Sequence, residues 1–168
     1  MKKIISTLAL SLIMMMPFLA NAEGRIAVLD IEAAILQTEL AKKEFKSLQE
    51  RADVADNMKQ LESLQQAYNE KVEQLKKDSA ILSNEKKQEE AQKLQNSLTD
   101  IQHVRKKLQS AEQELAKKLL QALSPKLNQI VPEIIKSEGI GMLLHRKAVM
   151  HADSNYDITA QVTAKLNM

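Results

Sequence analysis

A mainly α chain with a small β-sheet body (α+β) is the fold predicted, with a long antiparallel helical hairpin, a coiled-coil arm, projecting from a small oligomerising body. From Arg25 to Ser124 no glycine or proline interrupts the sequence, so regular structure meets no strong breaker there. Within that stretch Leu, Lys, Glu, Gln and Ala predominate, all good helix formers, and apolar residues recur at three- and four-residue steps. Short apolar runs of β-rich composition lie at its very start, Arg25 to Leu29, and in the segment that follows it.

The first element is a leader. Met1-Lys2-Lys3 is followed by an apolar run from Ile4 to Leu19, broken only by Ser6, Thr7, Ser11 and Pro17, and then by Ala20-Asn21-Ala22. A charged start, a short apolar middle and a small-x-small end make a secretory signal peptide, residues 1–22, with cleavage expected after Ala22. Pro17 and the shortness of the run argue against a span, which needs about 20 apolar residues. Processing removes Lys2 and Lys3 and no acid, so the 24 basic and 22 acidic residues of the full chain become equal in number. A neutral chain is a poor candidate for sequence-independent nucleic-acid binding, which rests on clustered positive charge.

No cysteine is present, so an exported fold of this sequence is held by packing, metal or association rather than by disulfides. Beyond the leader only Phe45, Tyr68 and Tyr156 are aromatic, which deprives a compact core of its usual large side chains and favours an elongated shape.

Residues 39–123 form the predicted arm. Leu61, Leu64, Tyr68, Val72 and Leu75 make one narrow stripe, and Ala91, Leu94, Leu98, Ile101, Val104, Leu108, Ala111, Leu115 and Leu119 another. Between Leu82 and Ala91 every residue is polar, and counting sevens from Leu61 arrives at Glu89, Asn96 and His103, so one unbroken seam would bury polar groups. If the chain instead doubles back near Ile81, Tyr68 faces Leu94, Leu64 faces Leu98, Leu61 faces Ile101, Met58 faces Val104 and Val54 faces Leu108. Each of these pairs has the same sum of residue numbers, as two arms of equal rise require. The tip is expected at residues 79–84, with Ser83 or Asn84 capping the returning helix.

The body comprises residues 23–38 and 124–168, two segments that the hairpin brings together. Arg25 to Leu29 is a short strand, and Asp30 caps a helix from Ile31 to Gln37. Ser124-Pro125 is expected to restart a helix that Pro132 kinks and that Gly139-Ile140-Gly141 ends. Met142 to His145 with Ala148 to His151 is expected to form a β-hairpin turning at Arg146-Lys147, and Asp157-Ile158-Thr159 opens a last helix that buries Val162 and Leu166. So small a body with open sheet edges predicts self-association.

The opening Arg25-Ile26-Ala27-Val28-Leu29-Asp30, the long hairpin, and a C-terminal block resemble the Skp/OmpH family of periplasmic chaperones. That block is Gly139-Ile140, the apolar run Met142 to Leu144, Val149-Met150-His151-Ala152, Asp157-Ile158-Thr159, Val162 and Leu166-Asn167. The resemblance implies a jellyfish-shaped homotrimer whose bodies join through β-strands and whose arms enclose a cavity. It further implies an ATP-independent holdase in the periplasm that receives unfolded outer-membrane proteins.

No catalytic constellation is visible: there is no thiol, no glycine-rich phosphate loop and no serine beside a plausible base. Catalytic, cofactor and metal-ligating residues are therefore expected to be none, with His103, His145 and His151 too dispersed to converge on a metal. At the tip, Lys76, Lys77, Lys86 and Lys87 outnumber Asp78 and Glu85, which reads as ordinary solubility or as contact with an anionic membrane surface. A structural coiled-coil scaffold of the cell envelope is the alternative to the holdase.

Overall fold

The computed structural model describes residues 24–168. The expected signal peptide lies outside the described residues. In chain order the elements are β1 (Arg25–Leu29), α1 (Ile31–Leu36), α2 (Glu39–Glu50), α3 (Ala52–Asp78), α4 (Asn84–Ser137), β2 (Ile140–His145) and α5 (Thr159–Leu166).

Caps place most of these boundaries. Asp30 accepts a hydrogen bond from the Ala33 amide at the start of α1, and Thr38 accepts one from Ala41 at the start of α2. Beyond Asp78 the chain reverses, and the Ser83 hydroxyl accepts from the Lys86 amide to open α4. From there α4 runs antiparallel to α3 and α2 for 54 residues without interruption, forming the hairpin. Leu108 shares a cleft with Ala55, Met58 and Leu61, and Leu115 shares another with Glu44, Ser47 and Leu48, as the constant-sum register demands.

One expectation about α4 fails. The helix does not restart at Ser124-Pro125 but arrives there from Asn84 and passes through both prolines, ending at Ser137 just before Gly139, where the glycines were expected to stop it. A proline orphans the carbonyl four residues before it; those carbonyls belong to Gln121 and Asn128, both on the exposed side of the helix. Meanwhile Leu119, Leu123, Leu127, Ile130 and Ile134 bury one continuous face across both prolines, and that burial outweighs the two missing bonds.

The outgoing side of the arm is also not one helix. It breaks at Arg51, whose extended backbone (φ −62, ψ 134) ends α2 and begins α3. Leu48 and Val54 are both buried against α4, yet they are six residues apart. In a continuous helix of 3.6 residues per turn, six steps set two side chains about 120° apart. The break lets both face the same neighbour.

The C-terminal β-hairpin does not form. β2 pairs instead with β1, in parallel, with Ile26 opposite Met142 and Val28 opposite Leu144. Residues 146–148 wind into a 3-10 turn, capped by the His145 side chain, and residues 149–153 join no strand. The long connection through the arm supplies the crossover that a parallel pair needs. On its other side β1 makes only an isolated bridge to Asp157, where the Ile158 amide donates to the Val28 carbonyl at 3.0 Å.

The core sits in the base. Ala27 and Leu29 of β1, Ala34 and Ile35 of α1, Leu127 to Ile134 of α4, and Ile158, Val162 and Leu166 around α5 form one buried cluster. Ala41, Leu119 and Leu123 extend it into the first turns of the arm.

Candidate functional site

Only Val54 is buried among the 27 residues of α3. Leu61, Leu64, Tyr68, Val72 and Leu75, the stripe that faces α4, are all only half-buried. Two helices in contact along one seam cover each other on a single side, so the margins of both stripes remain open. Met58 is 47 % exposed, and with Ala55, Leu61 and Leu108 it lines an open cleft of about 540 Å³. Lys59, Glu62, Gln49 and Gln65 complete that cleft, adding apolar stems with charged or polar ends.

A second open groove, about 410 Å³, lies where the arm meets the base. Ile31 and Ile35 of α1 face Ala116 and Leu120 of α4 across it, with Glu32, Lys117 and His145 also on its walls. Leu120 is 44 % exposed there. These surfaces are shallow and mostly apolar, suited to extended contact with another chain rather than to enclosing a small molecule.

The base presents a third apolar surface. Ile26 and Met142 are paired across the sheet and are 47 % and 52 % exposed, and Leu144 is 37 % exposed. Parallel strands are ordinarily covered on both faces; here Ala27, Leu29 and Leu143 pack on the core while Ile26, Met142 and Leu144 face outward.

At the tip, Lys76 and Lys77 end α3 while Lys86 and Lys87 stand in the first turns of α4, so the reversal gathers the four sequence-selected lysines on the two stems of one turn. Lys76 is paired with Glu73 at 2.8 Å. Ile81 stands at the apex with 82 % of its surface exposed, an apolar feature that a search for charge overlooks.

The histidines do not come together. His103 is on the exposed side of α4, His145 ends β2, and His151 pairs with Asp153 at 3.2 Å. Among the described residues no three His, Asp or Glu side chains are grouped to hold a metal. No helix of the described residues is long and apolar enough to cross a membrane.

A compact sheet-containing base bearing one long, sparsely packed helical hairpin defines a class of arm-bearing proteins. The chain belongs to the family described as outer membrane protein (OmpH-like), whose model matches residues 25–166. It is 28 % identical over 148 residues to a Skp-like protein of Pseudomonas aeruginosa, covering 88 % of this chain and 87 % of that one. A crystal structure of an OmpH-like chain from Caulobacter crescentus aligns over 86 % of this chain and 84 % of its own, at 19 % identity and a TM-score of 0.45.

Proposed function

We propose that this protein is an ATP-independent holdase of the periplasm that binds unfolded outer-membrane β-barrel proteins between helical arms and keeps them from aggregating before membrane insertion. The observation that carries this reading is the half-covered stripe of α3, where a single residue of a 27-residue helix is buried. An arm whose apolar seam is open along its margins offers many weak contacts to a chain that itself exposes apolar side chains. Because the apolar clefts along the arm are open and shallow, affinity comes from several arms acting on one client at once. Release requires no nucleotide, since folding or insertion of the client withdraws the surface that was bound.

Several arms require several copies. The outward face of Ile26, Met142 and Leu144 and the outer edge of β2 support self-association of the bases, and the family likeness supports a homotrimer. The leader sequence, residues 1–22, supports export to the periplasm.

The experiment is dilution of a urea-unfolded β-barrel protein into buffer with and without the purified oligomer, followed by light scattering. Suppression of aggregation at a few-fold excess is expected. Unchanged scattering would favour the envelope scaffold, in which the arm joins two folded partners.

A second reading concerns the tip, where exposed Ile81 stands between Lys76, Lys77 and Lys86, Lys87. Cationic side chains around one apolar apex fit an anionic membrane surface. Replacing all four lysines by Gln is expected to weaken binding to vesicles containing phosphatidylglycerol, and equal binding of the variant would remove this reading.

A further inference from the structure

The foot of the arm is tied to the base more firmly than a coiled-coil seam alone would tie it. Thr38, 1 % exposed, donates to the Ile35 carbonyl at 2.7 Å and accepts from the Ala41 amide at 3.1 Å. The Glu39 amide donates to Asn167 Oδ1 at 2.9 Å, and Lys126 reaches the Leu166 carbonyl at 3.0 Å, so the C-terminal end of α5 clips both strands of the hairpin. Phe45 and Leu115 still pack on the central core.

Just beyond, at Arg51, that continuity stops. The Arg51 amide reaches back only to the Leu48 carbonyl, at 3.2 Å, and the Val54 and Ala55 amides both turn to the Arg51 carbonyl. No helical hydrogen bond spans the junction from one helix into the next, so α4 alone crosses this level as a continuous rod. Clefts of about 170 Å³ and 540 Å³ adjoin the break, the first walled by Leu48 and Ala111, the second by Gln49 and Leu108.

One set of charges holds the junction. The Arg51 guanidinium forms a fork on Asp53, with Nε to Oδ1 at 3.0 Å and Nη2 to Oδ2 at 2.6 Å. Glu114 of α4, itself paired with Lys118 at 2.7 Å, lines the same cleft as Arg51 from across the hairpin. All four groups are on the surface, where added salt screens them.

We propose that Arg51 is the joint of the arm and that its fork on Asp53, beside Glu114, is the latch that holds the joint. Proximal to it the arm moves with the base. Distal to it, α3 and the facing part of α4 swing as one lever about 40 Å long at 1.5 Å per residue, so a rotation of about 10° displaces the tip by about 7 Å. Bending there meets the stiffness of a single helix, which curves readily. This inference concerns the mechanics of the fold and stands whether or not the holdase reading does.

The chain has no cysteine, so spin labels can be placed at will. Lys43→Cys with Lys59→Cys straddles the joint, and Lys59→Cys with Lys77→Cys lies wholly within α3. Labelled full-length protein, diluted into unlabelled oligomer, is measured by pulsed dipolar spectroscopy. Arg51→Ala and Asp53→Asn are expected to broaden the straddling distance distribution and leave the α3 distribution unchanged. Salt near 1 M, where the screening length is about 3 Å, is expected to broaden the straddling distribution of the parent protein and to add little to that of Arg51→Ala. Circular dichroism and native mass confirm that each variant retains fold and assembly. Straddling distributions that stay narrow in both variants, or equal broadening of both label pairs, would overturn the proposal.

Discussion

Gly24 and Gly141 touch backbone to backbone. A Cβ placed on Gly24 would lie 2.4 Å from the Gly141 Cα, and one placed on Gly141 would lie 2.7 Å from the Gly24 Cα. Both obstacles are main chain, which cannot rotate out of the way as a side chain does. The approach occurs where the parallel ladder begins and slips its register, beside the hydrogen bond from the Arg25 amide to the Gly139 carbonyl at 2.9 Å.

Gly141→Ala is therefore expected to push the start of β1 off β2 and to cost about 1–3 kcal/mol, the range for forcing atoms into filled space. Gly139→Ala is different in kind, since space around Gly139 is open and its φ of 62 is the obstacle. Its cost is expected to be near 1 kcal/mol. Urea unfolding gives both values, and faster amide exchange at Arg25 in Gly141→Ala would locate the damage at the strand ends.

Thr38 offers a second test. Thr38→Ala removes an N-cap and leaves the buried Ile35 carbonyl without its hydroxyl donor, so a loss of about 1–2 kcal/mol is expected. Thr38→Ser keeps both bonds and is expected to recover most of that loss. The comparison is made by the urea midpoint at constant m-value.

The hairpin was legible because its information is local and periodic: two stripes, a polar interval and a constant-sum pairing settle the reversal with no long-range knowledge. Arg51 escaped notice because the break uses neither glycine nor proline. Its one trace in the sequence is the six-residue step from Leu48 to Val54 within an otherwise heptad-like seam. β2 was assigned the wrong partner because Ala148-Val149-Met150-His151 is near and apolar, whereas β1 is remote in sequence and is brought back only by the length of the arm. The prolines of α4 misled for a related reason, since their cost depends on whether the orphaned carbonyls meet water, which no local rule reports. Ile81 could have been marked as an apolar residue at the apex of a polar turn.

Asp53 provides a titration test of the latch. The hydrogen bonds from the Arg51 guanidinium are the largest cause holding its carboxyl below the ordinary carboxylate value, and the charge of Arg51 adds to them. A depressed folded-state pKa means that the contact contributes above the ordinary carboxylate range and is lost as pH falls through the lowered value. Carbon-detected NMR of the side-chain carboxyl is expected to show Asp53 titrating at higher pH in Arg51→Ala than in the parent protein. An unmoved midpoint would mean that the fork does not persist in solution.

The outward face of the sheet gives the sharpest test of assembly. Met142 and Leu144 stand on the free side of β2 with Ile26 beside them, and covering such a face with a like face from another copy removes apolar area from water at about 25 cal/mol per Å². Two lysines there would bring like charges together at every junction between bases, and their desolvation would oppose association. Met142→Lys with Leu144→Lys is therefore expected to reduce the native mass to that of a single chain, while Ile81→Lys, far away at the tip, leaves it unchanged. Because Ala27, Leu29 and Leu143 face the other way, onto Ile134, Ile158 and Val162 in the cluster, the double variant is expected to retain its helical signal at high protein concentration. A double variant that keeps the parent mass would show that the bases meet through some other surface.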